Sequence, residues 1–113
     1  MHPTERVIVS AVVLTALNEG LSVSVDDAEI GAWSLVRSRD YFDIMAELGH
    51  MEEDFIRLHD YTRGSLGWVH FVYGNEPYYV ICDHGTSDAL ESVMSKVQPL
   101  IDAYEAAEEA RHA

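Results

Sequence analysis

Phe55-Ile56-Arg57-Leu58-His59, then Leu66-Gly67-Trp68-Val69-His70-Phe71-Val72-Tyr73, then Tyr78-Tyr79-Val80-Ile81-Cys82 are the three runs that decide the fold. Each is short, apolar and rich in β-branched or aromatic residues, which suits a pleated, half-buried strand. Tyr61-Thr62-Arg63-Gly64-Ser65 separates the first two, and Gly74-Asn75-Glu76-Pro77 separates the last two. Gly74 and Asn75 accept positive φ at low cost, and Pro77 fits a strand edge. Connections this short join antiparallel neighbours, so the three runs form a meander. The middle run sets Trp68, His70 and Val72 against Val69, Phe71 and Tyr73, and both sets are large. Either both faces of the sheet are covered or the exposed one is a contact surface.

Working back towards the N-terminus, Phe55 is preceded by a polar connection, His50-Met51-Glu52-Glu53-Asp54. Before it, Tyr41, Phe42, Ile44, Met45 and Leu48 form a short helix, capped by Ser38 or Asp40 and ended by Gly49. Leu21-Ser22-Val23-Ser24-Val25 alternates strictly and reads as a strand. Asp26-Asp27-Ala28-Glu29 is turn-like, and Ala32-Trp33-Ser34-Leu35-Val36 reads as a second strand antiparallel to the first. Thr4 starts a first helix that Asn18-Glu19-Gly20 stops. Its residues are apolar on most sides, which buries it against the core or another subunit. The stretch Val7–Leu17 is too short to span a bilayer. Glu5 ahead of it and Ala16-Leu17-Asn18 behind it make a poor signal peptide. A cytoplasmic location without membrane contact is expected.

Beyond the meander, Thr86 or Ser87 caps a last helix, in which Leu90, Val93, Met94, Val97, Leu100, Ile101 and Tyr104 recur at helical spacing. Pro99 predicts a kink or break near Val97, and residues 105–113 are expected to fray. The order is α-β-β-α-β-β-β-α. The expected fold is α+β, one domain over residues 1–113, with a five-stranded antiparallel sheet and its helices packed on one face.

The charge is the unusual bulk property. Seven basic residues face 20 acidic ones, a net charge of −13. That field opposes nucleic-acid phosphates and anionic membranes, and it favours basic protein surfaces. Its plainest consequence is solubility. The acid concentrates at Asp26-Asp27-Glu29, at Glu52-Glu53-Asp54 and at Glu105-Glu108-Glu109. The first two groups lie in connections, where interaction residues concentrate. Together, Asp26, Asp27, Glu29, Glu52, Glu53 and Asp54 form the expected partner-binding set, a carboxylate array able to compete with nucleic acid for a basic groove. Separately solvated loops are the simpler alternative.

The single cysteine, Cys82, excludes an internal disulfide and a cysteine-based zinc site. Four histidines near carboxylates, namely His50, His59, His70 and His84, raise the question of a ligand or catalytic cluster. The strongest version groups His59, His70, Asp83 and His84. Adjacent strand residues face opposite ways, which opposes chelation within His59-Asp60 or Asp83-His84. No cofactor or metal is expected. Ser65, Thr86, Ser87 and Cys82 are available as nucleophiles, and none lies in a nucleophile elbow. Gly64-Ser65-Leu66-Gly67 lacks the lysine of a phosphate loop. No catalytic residue is assigned.

Several pieces together resemble a group of small proteins encoded by phages, prophages and other mobile elements. They are Ser24-Val25-Asp26-Asp27, Trp33-Ser34-Leu35-Val36-Arg37-Ser38, Leu48-Gly49-His50-Met51-Glu52-Glu53-Asp54, Gly67-Trp68-Val69-His70-Phe71-Val72-Tyr73-Gly74-Asn75 and Val80-Ile81-Cys82-Asp83. The group has no settled activity, so the resemblance transfers no catalytic residue. It implies an accessory protein that binds host or defence machinery, as an anti-CRISPR or DNA-mimic-like inhibitor does. Three readings follow. The first is a non-enzymatic interaction protein that binds a basic surface of a host or defence complex. The second is a small enzyme or ligand binder using the His/Asp cluster. The third is a homodimer built on the first helix or the aromatic sheet face.

Overall fold

The meander is present, with its last strand moved along the chain. The computed structural model describes residues 1–27, 32–61 and 64–112, with Asp27 described by its backbone alone. In chain order the elements are α1 (Pro3–Asn18), β1 (Ser22–Asp27), β2 (Ala32–Ser38), α2 (Tyr41–Glu47), β3 (Glu53–Asp60) and β4 (Gly64–Val72), then a 3-10 turn (Pro77–Tyr79), β5 (Ile81–His84) and α3 (Asp88–Arg111). The five strands form one antiparallel sheet in the order β2-β1-β3-β4-β5. This is the expected α+β architecture with the expected order of elements.

The two-residue period of a strand sorts the side chains into two faces. Val23, Val25, Ile56, Leu58, Val69 and Phe71 lie on one face and are buried. They meet Ile8, Val9, Val12, Val13 and Ala16 of α1, Ile44 and Met45 of α2, and Leu90, Val93 and Val97 of α3 in one core. Each of these Val, Leu, Ile, Phe and Met side chains contributes about 1.5–3 kcal/mol by leaving water, and Ala16 contributes less. The opposite face carries Asp26, Phe55, Arg57, Trp68 and His70, which follow from the register Asp26↔Phe55, Phe55↔His70 and Arg57↔Trp68. Trp33, opposite Asp26, is 42% exposed, while Phe55, Trp68 and His70 are partly buried. The helices thus leave the aromatic outer face uncovered.

Several boundaries differ from expectation. His2, not Thr4, caps α1: its Nδ1 accepts from the Thr4 amide at 3.0 Å, and Glu5 Oε1 accepts from the His2 amide at 2.8 Å. Pro3 at the first helical position suits this start. Asp26 and Asp27 extend β1, and Glu53 and Asp54 open β3, because pairing continues past the apolar residues that mark each strand. The expected strand Tyr78–Cys82 is a 3-10 turn followed by β5. Pro77 fixes φ and lacks a donor, and the Tyr79 amide closes the turn on the Glu76 carbonyl at 2.8 Å.

α3 neither breaks at Pro99 nor frays at Glu105. It continues to Arg111, with Arg111 and His112 both bonded to Glu108. Alanine and glutamate are strong helix formers, and Pro99 removes only one backbone bond, on an exposed side of the helix.

β2 is an edge strand, and its pairing with β1 is irregular at two places. Arg37 there has φ +48°, unusual for a residue with a side chain. Such kinks blunt an edge against further strand addition. Gly67, at φ +143°, lies where a Cβ would stand 2.7 Å from Cδ2 of buried Leu90. Gly67→Ala is therefore expected to destabilise the fold by about 1–3 kcal/mol. A lower urea midpoint with an unchanged slope would show it.

Candidate functional site

β1 and β3 run antiparallel, so the C-terminal end of β1 meets the N-terminal end of β3. This brings Asp26 and Glu53 to one end of the sheet, joined there by Glu52. Glu52 and Glu53 are exposed and line an open groove of about 960 Å3 with His50, Met51, Val72, Tyr73, Gly74 and Asn75. Met51 stands 45% exposed in its wall. The groove combines two carboxylates with apolar lining, and that combination suits a lysine or arginine side chain, whose stem is apolar and whose head is cationic.

Buried carboxylates hold the groove open. Asp54 is only 6% exposed, and its Oδ2 accepts from the Tyr73 hydroxyl at 2.6 Å and from the Gly49 amide at 2.8 Å. Burial lifts the Asp54 pKa above its ordinary value, and the two hydrogen bonds pull it partly back. Burial, followed by the bond to Asp54, raises the Tyr73 hydroxyl far above its usual range, so it remains a donor. Glu5 is buried too, and its Oε2 accepts from the Gly74 amide at 3.0 Å, tying α1 to the β4 turn. The Tyr73 amide donates to the Glu52 carbonyl at 3.0 Å. Both walls are thereby tied by part-buried hydrogen bonds to Asp54 and Glu5.

The expected array is thus divided. Asp26, Glu52 and Glu53 share the sheet end. Asp54 is corrected from a surface carboxylate to a buried support, since it follows Glu53 on a strand and faces inward. Glu29 lies outside the described residues, as does the Asp27 side chain. The third acidic group is on α3, where Glu105 accepts from the Tyr79 hydroxyl and Glu108 pairs with Arg111 and His112.

The histidine cluster is divided as well. His70 and Asp83 are cross-strand partners, and His84 pairs with Val69. His70 stacks on Phe55, with ring centroids 4.0 Å apart, and its Nε2 donates to Glu53 Oε2 at 3.0 Å. Asp83 accepts from the His84 amide, and His84 Nδ1 donates to the Gly85 carbonyl at 2.7 Å. His59 stands apart, four residues along β3 from the register of His70, roughly 13 Å. Among the described residues, no group of three His, Cys, Asp or Glu side chains is placed to hold a metal ion.

His59 is 7% exposed, and its Nε2 shares a 2.8 Å hydrogen bond with Ser24 Oγ. Burial first, then the positive charges of Arg37 and Arg57, lower its pKa. A lowered histidine pKa contributes stability that is complete above the unfolded value, about 6.5, and is lost as pH falls through the folded value. Wild type is expected to lose more stability than His59→Gln between pH 7 and pH 5, read from urea midpoints at each pH.

Sequence reasoning missed Glu5 and Tyr73 as parts of the site. Glu5 carried a signal, since a glutamate three residues after a capping position is the mark of a capping box. Tyr73 was read only as a large residue on one strand face. Compared with known proteins, the chain matches no family model, no curated protein and no solved structure. Among the described residues, no helix is long and apolar enough to cross a membrane.

Proposed function

We propose that this chain is a non-enzymatic interaction protein that receives a basic segment of a partner protein in the groove bounded by Glu52 and Glu53. The observation that carries this reading is the convergence of Asp26, Glu52 and Glu53 at one sheet end, beside a groove whose walls are buttressed from within. Glu52 and Glu53 are exposed there, although Glu53 also accepts from His70, while Asp54 and Glu5 hold the backbone. The net charge of −13 steers a basic partner towards it. The resemblance to mobile-element proteins favours a partner from a host or defence complex that itself binds nucleic acid, in the cytoplasm. An acidic groove competing for such a surface is an inhibitor of the anti-CRISPR or DNA-mimic-like kind.

The test is a titration with a lysine- and arginine-rich peptide at low and high salt. Binding that weakens steeply with salt supports the reading. Binding that is equally tight at both, or undetectable at low salt, refutes it.

A second reading has its own observation. The outer sheet face exposes Trp33 beside Phe55, Trp68 and His70, and no helix covers it. A homodimer through that face would bury these rings, and a monomeric mass at high protein concentration would exclude it.

A further inference from the structure

We propose that acidification detaches the edge strand β2 from the sheet by protonating His59, with Ser24 as the link between ring and strand. Between the pairs Val23↔Ser38 and Val25↔Leu35, β1 has one residue, Ser24, and β2 has two, Val36 and Arg37. A side chain closes this bulge: the Arg37 amide donates to Ser24 Oγ at 2.9 Å. Arg37 stands there at φ +48°, a conformation that persists only where its surroundings hold it. A second hydroxyl, Ser34 Oγ, donates to the Val25 carbonyl at 3.3 Å. Of the seven residues of β2, only Leu35 and Ser38 are partly buried, and Val36 is 63% exposed. An edge strand with so little buried apolar surface belongs to the part of a fold that opens first.

Ser24 and His59 are 1% and 7% exposed, and Ser24 Oγ lies 2.8 Å from His59 Nε2. The direction of that hydrogen bond follows from the hydroxyl. Ser24 Oγ accepts from the Arg37 amide, and its own hydrogen needs an acceptor, which Nε2 of a neutral ring supplies. The neutral ring then carries its proton on Nδ1, an assignment made from the hydrogen-bond network. The chain runs from the Arg37 amide through the Ser24 hydroxyl to the His59 ring. A second proton turns Nε2 into a donor. Both lone pairs of Ser24 Oγ then face donors, and its hydrogen turns away from the ring in a place closed to water. Nδ1 is buried with no hydrogen-bond partner among the described residues, so the charged ring has no acceptor there either.

The charges around the ring act in the same direction. Burial first, then Arg37 of β2 and Arg57 of β3, oppose a proton on His59. Ser22 of β1 and Ser65 of β4, the residues opposite His59, are neutral. Asp60 is the adjacent carboxylate on β3, and strand alternation puts it on the other face of the sheet. Detachment of β2 takes the Arg37 amide off Ser24, relaxes the Arg37 backbone and opens His59 to water. The detached state therefore takes up the proton at the ordinary histidine value, about 6.5, and the attached state only below it, so detachment is favoured as pH falls. β1 then becomes the edge of the sheet, with unpaired backbone groups open to strand addition.

The experiment measures amide hydrogen exchange of the full chain between pH 7.5 and pH 5, as protection factors corrected for the intrinsic pH dependence of exchange, and follows the His59 ring resonances by NMR over the same range. The expected result is a loss of protection of about tenfold or more at the Arg37 amide, with unchanged protection in β4 and a midpoint that coincides with the His59 titration. His59→Gln should abolish the pH dependence, and His70→Gln, on the same sheet face, should keep it. Ser24→Ala removes the link and keeps the ring, so Arg37 should be poorly protected at every pH. Equal Arg37 protection across the range, a loss shared by β4, or a loss that persists in His59→Gln would overturn the proposal. A midpoint away from the His59 titration would overturn it from wild type alone.

Discussion

Asp54→Ala is expected to destabilise the protein by about 2–4 kcal/mol, the largest effect of any polar substitution at the groove. The substitution leaves two part-buried donors without their acceptor, the Tyr73 hydroxyl and the Gly49 amide. A domain of this size has a total stability of about 5–15 kcal/mol, so the midpoint of thermal unfolding should fall by about 10 °C. Asp54→Asn separates charge from hydrogen bonding, because its amide oxygen still accepts. Burial raises the Asp54 pKa in the folded state. The stability tied to that proton is therefore complete below the unfolded value, about pH 4, and is lost as pH rises through the folded value. The Asn variant has no proton to lose, so its stability relative to wild type should rise as pH increases from 4 to 7. A relative stability that falls over that range would contradict the assignment of a destabilised buried carboxylate.

The second large effect concerns binding. Glu52→Lys with Glu53→Lys should weaken a lysine- and arginine-rich peptide by at least tenfold, about 1.4 kcal/mol, at low salt. Both side chains are exposed, so folding is expected to survive. Losing Glu53 also frees His70 Nε2 from its carboxylate partner. The matched control reverses two carboxylates elsewhere, Asp102 and Glu109 on exposed positions of α3, with the same change in net charge. Bulk charge alone predicts equal losses for the two double variants. A groove-specific site predicts a loss confined to the first, by isothermal calorimetry.

The parts of the fold that were legible are those set by repetition. The alternation in Leu21–Val25, the β-branched and aromatic content of Leu66–Tyr73 between two turns, and the helical spacing from Leu90 to Tyr104 each carry enough residues to identify their element. The misplaced parts depend on single residues. Pro77 turned the start of the expected last strand into a 3-10 turn, and Pro99 failed to interrupt α3 because the surrounding residues hold the helix. The site was legible as a neighbourhood and not as a geometry. Asp26 and Glu53 could be named from their loops, but their meeting depends on β1 pairing with β3 across the intervening β2 and α2. Asp54 looked like its neighbour Glu53, and only the two-residue period of β3 turns one inward and the other out. His59 and His70 looked like members of one cluster, whereas their registers on β3 separate them by four residues.

The central claim is that the groove at the acidic end of the sheet, and not the net charge as a whole, receives a basic partner. The most direct measurement is backbone amide shift mapping during titration with a lysine- and arginine-rich peptide. The groove account predicts the largest changes at Met51, Glu52, Glu53, Gly74 and Asn75, with their loss in the Glu52→Lys, Glu53→Lys variant. Changes spread evenly over the acidic residues, or centred on Glu105, Glu108 and Glu109 of α3, would contradict it.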